Sequence, residues 1–109
     1  AVLPREGLSE KEALAAIASL EQYSRHPLAA ATLSAAKEQG IALAPCTDVS
    51  ERPGEGLRGH VAGQEVQVTS RKKLLAQDPS AASLLPAQAA GVECVLLLDG
   101  QYAATLQYR

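Results

Sequence analysis

Three glycines stand in the segment Gly54-Glu55-Gly56-Leu57-Arg58-Gly59. Glycine lets the main chain run close to a ligand or adopt a positive φ, so this segment suits a flat ring or phosphates lying against the backbone. It equally suits a hairpin whose turns need glycine. A dinucleotide fingerprint of this form requires a strand before it, a helix after it and an acidic residue about 20 positions on. Here Glu51-Arg52-Pro53 precedes and a strand pattern follows, which excludes that reading. With Val61 the segment has the shape of a protein-kinase glycine loop. A chain of 109 residues cannot hold a kinase, and no HRD-like loop, DFG or paired strand lysine follows.

A second group lies upstream in Glu21-Gln22-Tyr23-Ser24-Arg25-His26-Pro27-Leu28. A carboxylate accepts a hydrogen bond from an amine, and an imidazole presents a flat face to a ring. Glu21 and His26 could therefore meet a base, or they could merely end one helix and cap the next. Ser24 has no evident base beside it and is not read as a nucleophile. Cys46 and Cys94 lie 48 positions apart, outside any CxxC or CxxH arrangement. They are read as partly buried thiols of a reducing compartment, not as a metal site or disulfide. A formal net charge of −2 without a long basic stretch argues against a DNA or RNA interface. It leaves room for one triphosphate, which needs only a local site. No apolar run reaches membrane-spanning length, and no signal peptide is visible.

The elements that must position these residues follow from pattern. With 47% apolar residues and no Phe, Trp or Met, the core must be Leu, Val, Ile and Ala, so stability should be modest. After an irregular lead-in, Ser9 and Glu12 form a capping box before a helix from about residue 10 to 22, with Leu14, Ile17 and Leu20 on one face. Pro27 suits the first turn of a second helix, which Gly40 closes. Residues 41–56 read as a short strand with loops. Leu57 to Val68 reads as a hairpin turning at Ala62-Gly63 or Gly63-Gln64. Ser70 can cap a short helix over residues 71–77. Pro79 can start another toward Ala90, interrupted by Pro86. Val92–Leu98, turning at Asp99-Gly100, predicts a central strand and a closing hairpin. The order implies a single α+β domain over residues 1–109. Its antiparallel sheet of about six strands carries packed helices, including an N-terminal helical hairpin.

Ser24-Arg25-His26-Pro27-Leu28 with Glu21 ahead, followed by Gly54 and Gly56 entering a strand, resembles the nucleotide-binding domain of heavy-metal-transporting P-type ATPases. The resemblance runs from about Gly7 to Tyr108. It implies an ATP-binding domain of a larger integral membrane pump, copper being the transported metal expected, with this part cytoplasmic. It implies that Glu21 accepts from the adenine amine, that His26 packs on the purine, and that Gly54, Gly56 and Leu57 line the pocket. Thr69-Ser70 stands where the family usually has Gly-Asn, so binding could be weaker or the ligand displaced. The phosphorylated Asp of such pumps lies in a DKTGT segment that these 109 residues lack. No catalytic residue and no metal ligand is therefore expected here. Mg²⁺ should arrive with the phosphates and a neighbouring domain. The implied partners are ATP and the phosphorylation and actuator domains of the same polypeptide, with the isolated domain monomeric. A degenerate copy without useful nucleotide affinity, or an unrelated α+β interaction domain, would share the fold features.

Overall fold

The structure, a computed structural model, describes residues 2–24, 29–52, 56–86 and 92–108. In chain order these form β1 (Val2–Pro4), α1 (Glu10–Glu21), α2 (Ala29–Glu38), β2 (Cys46–Arg52), β3 (Gly56–Val61) and β4 (Gln64–Thr69). Then come α3 (Arg71–Gln77), a 3-10 turn (Pro79–Ser83), β5 (Val92–Leu98) and β6 (Gln101–Tyr108). The strands make one six-stranded antiparallel sheet in the order β1-β6-β5-β4-β3-β2. This is the α+β architecture that the element order implies.

Local chemistry explains most of the elements. α1 starts at the capping box: the Glu12 amide donates to Ser9 Oγ at 3.0 Å, and the Ser9 amide donates to Glu12 Oε1 at 3.4 Å. The β3–β4 hairpin turns at Ala62-Gly63 and the β5–β6 hairpin at Asp99-Gly100. All four turn residues have positive φ, the mirror-image turn that matches strand twist. Ser70 caps α3, its Oγ accepting from the Lys73 amide at 3.2 Å. β5 lies between β6 and β4, as its apolar run predicts.

Two expectations are corrected. The lead-in is not wholly irregular: Val2, Leu3 and Pro4 pair with Leu106, Thr105 and Ala104 of β6. Three residues carry no strand periodicity of their own, and the free edge of β6 orders them. The segment from Pro79 is short, as its interruption at Pro86 predicts, but over Pro79–Ser83 it is a 3-10 turn and not an α-helix. The remainder of that predicted helix, residues 87–90, lies outside the described residues.

Strand alternation sorts the core onto two faces. On one, Ala13, Ile17 and Leu20 of α1 pack against Leu57, Val66, Val68, Leu96 and Leu98. On the other, Leu74 of α3 and Ala81 pack against Val95, Leu97 and Tyr102. α2 forms an outer layer: its Ala36 meets Leu14 and Ala18 on the side of α1 turned from the sheet. Small residues let these two helices approach closely. The core is the predicted Leu, Val, Ile and Ala set, with Tyr102 added.

Candidate functional site

The carboxyl end of α1 bears Glu21, the first of the candidate site residues. Glu21 follows Leu14 and Ala18 at helical spacing, on the side of α1 that packs toward α2, and is 7% exposed. Side chains stitch this helix end to β2 and the residues before it. Ser19 Oγ accepts from the Ala44 amide at 3.0 Å, and Gln22 Nε2 donates to the Ala44 carbonyl at 2.8 Å. Tyr23 Oη accepts from the Cys46 amide at 3.2 Å, and Cys46 Sγ donates to the Ser19 carbonyl at 3.1 Å. Beyond the helix, the Ser24 amide donates to the Glu21 carbonyl at 2.9 Å. Ser24 Oγ donates to Glu51 Oε2 at 2.7 Å. Glu51 pairs with Leu57, and Arg52 with Gly56. The junction after α1 is thereby joined to the end of the sheet where the glycine segment enters β3.

The glycines of that segment do different work. Gly56 has φ +75°, and a Cβ there would stand 2.3 Å from the Val68 carbonyl oxygen and 3.2 Å from Thr69 Cα. Both the backbone angle and the contact require glycine. Gly59 has an ordinary φ, but a Cβ would meet Leu20 Cδ1 at 2.7 Å. Its bareness lets the end of α1 sit down on β3. Leu57 is 4% exposed and belongs to the core beneath α1. His26 and Gly54 lie outside the described residues; they are two positions from Ser24 and Gly56 respectively.

Thr69 ends β4 at 8% exposure, and among the described residues its Oγ1 has no hydrogen-bond partner. Alternation puts it with Val95, its β5 neighbour, on the α3 face of the sheet, opposite the α1 face. An unpaired buried hydroxyl costs about 1–3 kcal/mol, so Thr69 weakens the fold where a glycine would leave space. Ser70 Oγ is engaged as the α3 cap. The next residue, Arg71, reaches across to β5. Its Nε and Nη2 donate to Glu93 Oε1 at 2.5 Å and Oε2 at 3.2 Å, and Nη2 also donates to the Pro86 carbonyl at 2.8 Å. The hydrogen bond to Glu93 raises the already high guanidinium pKa further, against the opposing effect of burial. Sequence reading found neither this pair nor Glu51. Arg71 and Glu93 are 22 positions apart and Ser24 and Glu51 are 27 apart, so only tertiary packing of a helix against the sheet brings each pair together.

Cys46 and Cys94 are half-buried thiols, not joined in a disulfide, on β2 and β5 with β3 and β4 between them. Burial pushes the Cys46 thiol pKa up, keeping it protonated at neutral pH. Among the described residues no three His, Cys, Asp or Glu side chains gather as a metal site, and no helix is long and apolar enough to cross a membrane. A cavity of about 440 Å³ lined by Arg5, Asp78, Leu84 and Tyr102, among others, contains none of the predicted site residues.

No family model matches the chain. Copper-transporting ATPase 1 of Rhizobium meliloti is 51% identical over 67 residues, covering 62% of this chain and 8% of that protein. Copper-transporting ATPase 2 of the same organism is 44% identical over 69 residues, covering 63% of this chain and again 8% of the relative. The chain thus matches under a tenth of the length of these curated relatives. In three dimensions the likeness covers the whole chain. The N-domain of HMA8, a copper-transporting P-type ATPase, superposes with a TM-score of 0.80 at 21% identity, covering 100% of this chain and 97% of that one. A zinc-transporting PIB-type ATPase gives 0.79 at 25% identity over 98% of this chain and 18% of the other. These structures share the six-stranded fold.

Proposed function

From the premise that this chain is a homologue of the copper-transporting P-type ATPases and has the fold of their N-domain, we propose that it binds ATP and positions it for phosphorylation of an Asp on a neighbouring domain. The observation that carries this reading is the 2.7 Å bond from Ser24 to Glu51. It joins the helix end bearing Glu21 to the strand pair at which Gly56 begins β3. A solved structure of a related catalytic domain is described as changing conformation on nucleotide binding, and its chain shares the fold with a TM-score of 0.66.

In this reading Glu21 accepts a hydrogen bond from the adenine amine. Its burial makes that bond worth more than it would be in water. His26 packs on the purine. Gly54 and Gly56 bring the main chain close to ribose and phosphates, and Leu57, held in the core, keeps Gly56 in place. Thr69 and Ser70 flank the same end of β4. Mg²⁺ comes with the phosphates and the neighbouring domain. The contribution to phosphoryl transfer is positioning, which supplies much of the rate when little covalent chemistry falls to the protein. The whole protein is then a copper-translocating pump. Its phosphorylation and actuator domains are the partners, and this domain lies on the cytoplasmic side.

Amide shifts in an ATP titration of the chain test the reading. Shifts should cluster at residues 21–28 and 54–59. Inosine triphosphate, which carries a carbonyl in place of the amine, should bind about tenfold more weakly, and Glu21→Gln should erase that preference. Absence of shifts at millimolar ATP would instead assign a degenerate domain.

A further inference from the structure

We propose that Asp48 is an edge guard: the bulge it makes in β2 keeps this strand from pairing with a second copy of the chain. β2 has seven residues, Cys46–Arg52, and among the described residues no strand covers its outer side. An open edge of that length is a template for another strand. Its pairing with β3 is broken at one place. Thr47 lies across from His60 and Ser50 across from Arg58, so Asp48 and Val49 together face Gly59 alone. Asp48 has a left-handed φ of +54°. Asp is one of the few side chains that visit this conformation. Val49 returns to the α1 face and packs on the core there.

The sheet does not need the extra residue. Without Asp48, Cys46 would still face Val61, Thr47 would face His60 and Ser50 would face Arg58, with Val49 alone opposite Gly59. Both faces would stay as they are, because Thr47 and Val49 already point to opposite sides. What the bulge changes is the edge. It divides β2 into the short runs Cys46–Thr47 and Ser50–Arg52, neither longer than β1. It also sets a charge at mid-edge: the Asp48 side chain is 82% exposed, its Oδ2 3.6 Å from His60 Nδ1. At the start of the strand Pro45 has no amide to offer, and the Cys46 amide already donates to Tyr23 Oη at 3.2 Å. Bulges, charges and prolines are the means by which an edge is made unfit for a further strand. A partner strand would also run past Glu51 and Arg52, which pair with Leu57 and Gly56, so the guard keeps that end of the sheet uncovered.

Deletion of Asp48 is the test, read by sedimentation velocity at up to about 1 mM protein, where millimolar dissociation constants show. The intact chain should stay monomeric. So should Asp48→Gly, because glycine keeps the left-handed bulge without the carboxylate. The deletion variant should fold, with a Tm no lower than that of the intact chain. Its sedimenting mass should rise with concentration toward twice the monomer's, as two sheets join about a two-fold axis. Amide exchange in β2 should slow over the same range, which places the contact at that edge. A folded deletion variant that stays monomeric would overturn the guard. Failure of that variant to fold would overturn it too, since the bulge would then serve the sheet itself. Dimers of Asp48→Gly would move the role from the bulge to the carboxylate. Dimers of the intact chain through β2 would show the edge unguarded, and dimers with unchanged β2 exchange would put the contact elsewhere. Each of these three results also sinks the proposal.

Discussion

Gly56 and Gly59 belong to one motif by spacing, yet each is glycine for its own reason. At Gly56 the obstacle is backbone: the Val68 carbonyl stands 2.3 Å from where a Cβ would be, and φ is +75°. A left-handed conformation alone costs an alanine about 1–2 kcal/mol, and the contact adds to it. Gly56→Ala should therefore lower Tm by roughly 10–20 °C, given about 4–8 °C per kcal/mol in a domain of this size. A melt displaced by only a degree or two would mean that β3 yields easily and that the close approach is not required. Thr69 presents the complementary case. Its hydroxyl is buried without a partner among the described residues, on the face of the sheet away from α1. The space it fills beside Gly56 is therefore not on the Glu21 side, which limits how far it can displace a base held there.

At the scale of elements, α1 carries one wall of the proposed site. Its Ala13, Ile17 and Leu20 face seats it on the sheet, its Leu14 and Ala18 face receives α2, and Glu21 lies at the end of the second. Gly59 sets how closely that end approaches, since Leu20 Cδ1 occupies the space of a missing Cβ. The atom in the way is the tip of a flexible side chain, so Gly59→Ala should cost only about 1 kcal/mol. The same change lifts the end of α1 and with it Glu21. ATP affinity should fall several-fold while Tm drops by only about 4–8 °C. Paired calorimetry and melting read this, and an intact affinity would show that Glu21 does not depend on how α1 is seated.

Over the whole molecule the described strands make a sheet whose edge strands are β1 and β2. β1 is only three residues long, but it covers β6, and Val2 packs against both the sheet core and the helical layer. Removing residues 1–4 should uncover the β6 edge and lower Tm by roughly 5–15 °C, as a few buried methylenes and three strand pairings are lost. A melt that does not move would make β1 an ornament of the sheet.

What the sequence by itself determined is what short-range chemistry decides. The capping box of α1, the Ser70 cap of α3, both glycine turns and the apolar run of β5 each express a preference within a few residues of chain. The resemblance, and not spacing alone, named Glu21 and His26 as one candidate wall and Gly54 and Gly56 as the other. Only the tertiary structure decided what depends on pairing across the chain. It ordered β1 on β6, made the segment from Pro79 a 3-10 turn and coupled Arg71 to Glu93. It also assigned Gly59 to packing rather than to a ligand, and brought Ser24 to Glu51. A hydrogen bond between residues 27 positions apart leaves no periodicity to read. It forms because antiparallel register and the seating of α1 place both groups at the same end of one sheet.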